Sequence, residues 1–198
     1  MSEATTFEAE RRRLFAAGLD HIASWCRVNE VTPPQVEESD EPGKFGACAF
    51  YRDGVIKISI PRCAHIGRAG RLWSYPGYVV DRTPYGVLAH ELGHHVDQAH
   101  GARGGLVAGT WRRETGEAAI TGYAENDNEW FAEIFRLYVT NPGLLLQLRP
   151  LMYVRLIQRW TRHVELRSWM EILAPSTRHL NAARNKVAKA EKQQRLAV

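Results

Sequence analysis

The stretch AHELGHHVDQAH, Ala89 to His100, holds four of the chain's eight histidines. His90 and His94 are four residues apart, so on a helix they share one face and can present imidazole nitrogens to the same ion. Glu91 stands between them. This H-E-x-x-H spacing suits zinc: two neutral imidazoles hold the ion while the carboxylate works on a water that the ion activates. Five residues alone would also fit an amphipathic helix that happens to be rich in histidine. A helix start at Thr83-Pro84, an apolar opposite face and Gly93 between the ligands favour the metal.

A catalytic zinc takes three protein ligands and keeps one position open, so a further ligand must come from elsewhere in the chain. His100 follows His90 at the spacing of the longer H-E-x-x-H-x-x-G-x-x-H pattern, but Asp97 stands where that pattern bends at a glycine. On an unbroken helix His100 lies about 9 Å beyond His94 along the axis. Glu129 belongs to NEWFAEIFRLYVT, where Phe131, Ile134 and Phe135 can fix it against a core, whereas Glu125 falls at or before that helix's cap. A ligand benefits from a rigid mount, which favours Glu129 over the other two. Asp97 and Glu133 are the candidates to orient the imidazoles by hydrogen bonds. His95 points to another face and reads as polar packing.

These residues need elements to carry them. The first histidines belong to a helix predicted from Pro84 to about His100, with Leu88, Leu92, Val96 and Ala99 as its core stripe. Asn126 or Asp127 caps the second helix, which stops before Asn141-Pro142. Ahead of both, Phe7 to about Arg27 reads as an amphipathic packing helix, and the Pro-rich, acidic VTPPQVEESDEPG as a surface connection. Two short runs, 45–51 and 55–60, flank Asp53-Gly54, a hairpin signature, with Ile56, Ile58 and Ile60 on the buried face. Residues 61–83 look irregular. Six glycines between Gly101 and Gly122 suggest a mobile loop able to act as a lid, with a helical piece near Trp111. Further helices are expected from Leu144 to about Arg162, broken at Pro150, from Glu165 to about Leu173, and after Pro175. The fold class is α+β, a small sheet or hairpin packed on the active-site helix, followed by a mainly helical C-terminal half.

With 198 residues and 44% hydrophobic composition, the chain supports one core and is not disordered as a whole. The expected division is a domain over 1–175 and a basic helical extension over 176–198. The extension holds Arg178, Arg184, Lys186, Lys189, Lys192 and Arg195 against Glu191 alone, so the net charge of +4 resides there. Its charge suits nucleic acid or an acidic partner, and equally plain solubility. No run approaches the roughly 18 apolar residues of a membrane span, so no membrane partner is expected. Cys26, Cys48 and Cys63 are odd in number and widely spaced, which predicts free, mostly buried thiols. The opening MSEATTFEAERRRLFAAG has no leader-like apolar run, so the expected location is cytoplasmic.

HELGHHVD, followed 35 residues after His94 by EWFAEIFRL, with Tyr123 just upstream, resembles the zincin metallopeptidases of the anthrax lethal factor and Pro-Pro endopeptidase type. The resemblance covers roughly residues 44–140. It implies a gluzincin-like site with one zinc ion on His90, His94 and Glu129, Glu91 as general base, and Tyr123 stabilising the oxyanion. The activity it implies is hydrolysis of peptide bonds in a protein or peptide substrate. That substrate would lie along the Val55 to Ile60 strand or its neighbour. Two other functions compete. One is a cytosolic zincin that cleaves a repressor or DNA-associated protein, favoured by the basic extension. The other is a non-catalytic module braced by zinc, which would have no need of Glu91. Nothing in the sequence selects a substrate side chain.

Overall fold

The computed structural model describes residues 3–64, 80–100, 107–124 and 126–160. It opens on α1 (Glu3–Val28), which buries Leu14, Ile22, Trp25 and Cys26 along one stripe. Within the expected surface connection lies β1 (Gln35–Glu38), followed by a 3-10 turn over Glu41–Phe45. That turn delays β2 (Ala49–Arg52), which pairs antiparallel with β3 (Val55–Ile58). Asp53 (φ 49°) and Gly54 (φ 85°) are both left-handed, as a tight hairpin turn with the strands' own twist requires. Ile56, Ile58 and Ile60 are all fully buried.

The hairpin is not the whole sheet. β1 pairs parallel with β3, giving the order β1-β3-β2. β3 is therefore central, and of the two hairpin strands only β2 has an edge left unpaired among the described residues.

Helix α2 (Pro84–His100) follows its predicted bounds. Asp81 orders the entry, its Oδ1 accepting the Thr83 backbone N–H at 2.8 Å. Leu88, Leu92 and Val96 are fully buried, but Ala99 is exposed because the last turn projects past the packed core. Within the glycine-rich stretch Val107–Thr115 form α3, the helical piece expected near Trp111, which packs on α4 with Ala108 buried and Trp111 against Phe131.

Helix α4 (Asp127–Thr140) is buried almost throughout from Trp130 onward. Its N-cap Asn126 accepts the backbone N–H of Glu129. Pro142 and Pro150 then open two short helices, α5 (Pro142–Leu148) and α6 (Pro150–Arg159). A proline at a helix start loses no hydrogen bond and cannot continue the preceding helix. Trp25 and Trp160 each meet Phe135 edge to face, tilted against one another, where α1, α4 and the end of α6 meet.

The architecture is thus mixed α and β and mainly helical, six helices with one three-stranded sheet among the described residues. No described helix is long and apolar enough to cross a membrane. All three cysteines are free, Cys48 being only partly buried. The helices expected beyond residue 164, the boundary at 175 and the basic extension lie outside the described residues.

Candidate metal centre

Two helices form the site, and one glycine sets how closely they meet. A Cβ added at Gly93 would lie 2.9 Å from Ala132 Cα and 3.0 Å from Phe135 Cβ, so only glycine lets α2 and α4 approach this far. The approach places the first turn of α4 over the His90–His94 face. His90 Nε2 lies 3.0 Å from Glu129 Oε2, and His94 Nε2 lies 3.6 Å from Glu129 Oε1. One ligand atom from each of the three residues falls within 4.8 Å of the others. Two imidazole nitrogens and one carboxylate oxygen are all atoms that ligate metal ions. The group is close enough to bind a metal ion.

α2 continues through His100, which on a helix places that residue about 9 Å beyond His94 along the axis. Glu125 lies outside the described residues.

Each remaining candidate has a definite place. Glu91 is buried, 6% exposed, and lines the cleft beside the three donors. Burial raises its pKa and the charge of Glu129 adds to this, while the two histidines oppose it. Tyr123 is 42% exposed, its ring centroid 6.1 Å from that of His90. Burial of its hydroxyl, then the charges of Glu129, Glu91 and Glu133, hold the phenol above its ordinary pKa. Glu133 is 1% exposed and its Oε1 lies 3.0 Å from His90 Nδ1. Asp97 does not orient an imidazole, because its Oδ1 accepts the Ala108 backbone N–H at 2.8 Å instead. It secures the start of α3, and its link to His94 is one of charge alone.

His95 is buried packing, with Nε2 donating to the Thr32 carbonyl at 2.7 Å, which leaves Nδ1 to accept from the Tyr51 hydroxyl at 3.1 Å. Comparison with family models, curated proteins and solved structures returns no match. The site therefore has to be read from its own geometry.

The electrostatics follow from packing carboxylates on imidazoles. Burial would lower the His90 pKa, but Glu129 and Glu133 outweigh it and raise it to about 9. Burial likewise opposes ionisation of Glu133, yet the Arg136 charge and His90 pull it down to about 2. Glu129 is held below the usual carboxylate range by His90 and His94 against the same penalty.

Beside the cluster opens a cleft of about 420 Å³, lined on the opposite wall by Ala49, Phe50 and Tyr51 of β2. The Ser59 backbone N–H donates to the Cys48 carbonyl at 2.8 Å, so alternation along the ladder turns the main-chain groups of Ala49 and Tyr51 outward. The strand beside the cleft is β2 and not β3.

One residue of the site went unmarked in the sequence. Arg136 is 5% exposed, with Nη2 donating to Glu133 and Nη1 to the Asp81 carbonyl at 3.3 Å. The only available signal was an arginine three residues after Glu133 on a helix whose neighbours are apolar.

Proposed function

We propose that the chain is a zinc-dependent metalloendopeptidase. The observation that carries the reading is the convergence of His90, His94 and Glu129 within 4.8 Å beside a buried Glu91, on a cleft walled by the edge strand β2. Held by those three residues, zinc would supply Lewis-acid polarisation of a water and of a substrate carbonyl.

The chain's own groups would do the rest. Glu91, its pKa raised by burial, takes the proton from the attacking water and passes it to the departing amine. A base is most effective when its pKa approaches the working pH. Tyr123 stays protonated because its pKa is raised, so its hydroxyl can donate to the oxygen on which negative charge develops. The outward main-chain groups of Ala49 and Tyr51 can hydrogen-bond an extended peptide as an added strand. Such recognition reads backbone and not side chains, so it suits a protein or peptide substrate.

The test combines metal analysis with cleavage of a random peptide library. The wild type is expected to hold one zinc per chain, Glu129→Ala to lose it, and His100→Ala to keep it. Glu91→Gln should keep zinc while cleavage falls by about 10²- to 10⁴-fold, the usual worth of a general base. Retention of zinc by Glu129→Ala with loss in His100→Ala would refute the ligand assignment. A wild type that binds zinc and cuts no library member would instead point to a non-catalytic, zinc-braced module.

A further inference from the structure

We infer that Arg136 is a positioning residue of the metal centre: it clamps Glu133 so that the carboxylate fixes His90 with Nε2 turned toward the metal. The inference rests on the zinc reading and assigns a role to a residue outside the three-donor cluster.

Glu129, Glu133 and Arg136 recur along α4 at steps of four and three, so they form one stripe facing α2. The stripe descends from ligand, to the partner of a ligand, to that partner's counter-charge. Glu133 Oε1 receives Arg136 Nη2 and also lies 3.0 Å from His90 Nδ1. Its other oxygen, Oε2, is buried with no hydrogen-bond partner among the described residues. The carboxylate is therefore held from one oxygen, to which Arg136 donates, while His90 Nδ1 lies 3.0 Å from that oxygen without a hydrogen bond.

The second prong of the guanidinium fixes Arg136 in turn. Nη1 donates to the Asp81 carbonyl at 3.3 Å, and that carbonyl already sits so close to α2 that a Cβ at Gly86 would collide with it. Arg136 thus bridges α4 to the lead-in of the helix that carries His90 and His94. A planar fork with two separated donors can satisfy both partners at once, whereas an ammonium is a point charge.

The consequence for the metal follows from the imidazole. A neutral ring has one N–H. With Nε2 given to a metal ion the proton of the ring lies on Nδ1, the nitrogen 3.0 Å from Glu133 Oε1, while Nε2 is the nitrogen 3.0 Å from Glu129 Oε2 and faces the cluster. Partners that fix a ligand's tautomer in this way are typically worth 10- to 100-fold in metal affinity.

The experiment measures zinc affinity by chelator competition and the d–d absorption of the cobalt(II) form. It uses the full chain as wild type, Arg136→Lys, Arg136→Met, Glu133→Gln and the Glu133→Gln/Arg136→Met double variant, with circular dichroism of each metal-free form. Arg136→Met is expected to weaken zinc by about 10- to 100-fold and to shift the cobalt spectrum, and Arg136→Lys to recover only part of the loss. The double variant should bind no more weakly than Glu133→Gln, because Arg136 acts through Glu133. If Arg136→Met does not fold, the double variant, which leaves no buried charge unpaired, and Arg136→Lys decide between the outcomes. Additive penalties in the double variant, or wild-type affinity and spectrum in Arg136→Lys, would overturn the inference and leave the zinc reading intact. A wild type that binds no zinc would overturn both.

Discussion

Helix α2 is packed between α1 on one side and α4 on the other, and the two interfaces use the same parts to different ends. Each has a glycine at the crossing, Gly18 against Leu88 and Gly93 against Ala132. Each also has a histidine bonded across it. His21 Nδ1 lies 3.0 Å from the Tyr85 hydroxyl, with the two rings edge to face. On the other side His90 and His94 meet Glu129. The difference lies in the partner's charge. His21 faces a phenol, and burial pushes its pKa down to about 4, so it stays neutral and serves packing. His90 faces two carboxylates that reverse the effect of burial. A buried histidine becomes a candidate ligand when acids surround it, and the fold decides which acids arrive.

The sharpest way to break this contrast is to make the same substitution at both glycines. At Gly93 a new Cβ meets the backbone of α4, which cannot move aside without displacing Glu129. Gly93→Ala is expected to cost about 1–3 kcal/mol, the range for overpacking, and to weaken zinc at least tenfold. At Gly18 the nearest atom, 2.6 Å away, is Leu88 Cδ1, the end of a side chain that can rotate. Gly18→Ala should change stability by less than about 1 kcal/mol, since the gain in helix propensity offsets the repacking, and leave zinc affinity unchanged. Equal losses of zinc at the two sites would show that the α2–α4 spacing does not govern the centre.

A second contrast separates the two interfaces by pH. The His21 pKa is lowered from 6.5 in the free side chain to about 4 in the folded chain. Below pH 6.5 the unfolded chain therefore takes up a proton that the native state refuses, and stability falls as pH drops from 6.5 toward 4. The contribution lost is on the order of 3 kcal/mol. Urea unfolding of the chelator-treated protein should show a gentler decline over that window for His21→Gln than for the wild type. Parallel curves would mean that His21 titrates normally.

The smallest expected effect concerns Asp97. Because its carboxylate accepts from Ala108 at the start of α3, Asp97→Ala should cost about 1 kcal/mol, as the loss of a helix cap does. Zinc affinity should change by less than twofold. A tenfold loss of zinc would instead make Asp97 a partner of His94.

The bounds of α2 and α4 were legible in the sequence because Thr83-Pro84, Asn126 and Asn141-Pro142 punctuate strong helical periodicity, and those signals act within a few residues. β1 was hidden, since the short QVEE has no alternation to recognise and becomes a strand only by pairing with β3. A helical piece near Trp111 was legible, but not what orders it, since Asp97 and the aromatic face of α4 hold α3 from outside its own sequence. Arg136 looked like one more helix arginine until its two partners were in place.

Chain order alone thus specifies the local chemistry: two imidazoles four residues apart on one helix, a glutamate beside them, and a second capped helix with Glu129 and Glu133 one turn apart. Those facts need only the geometry of a single helix. Folding selects which acid reaches the histidines and which strand edge faces them, and it brings an arginine and a main-chain carbonyl together around the supporting carboxylate. These are relations between segments far apart in the chain. They depend on how closely α4 can approach α2, and that distance is set by the absence of a side chain at Gly93.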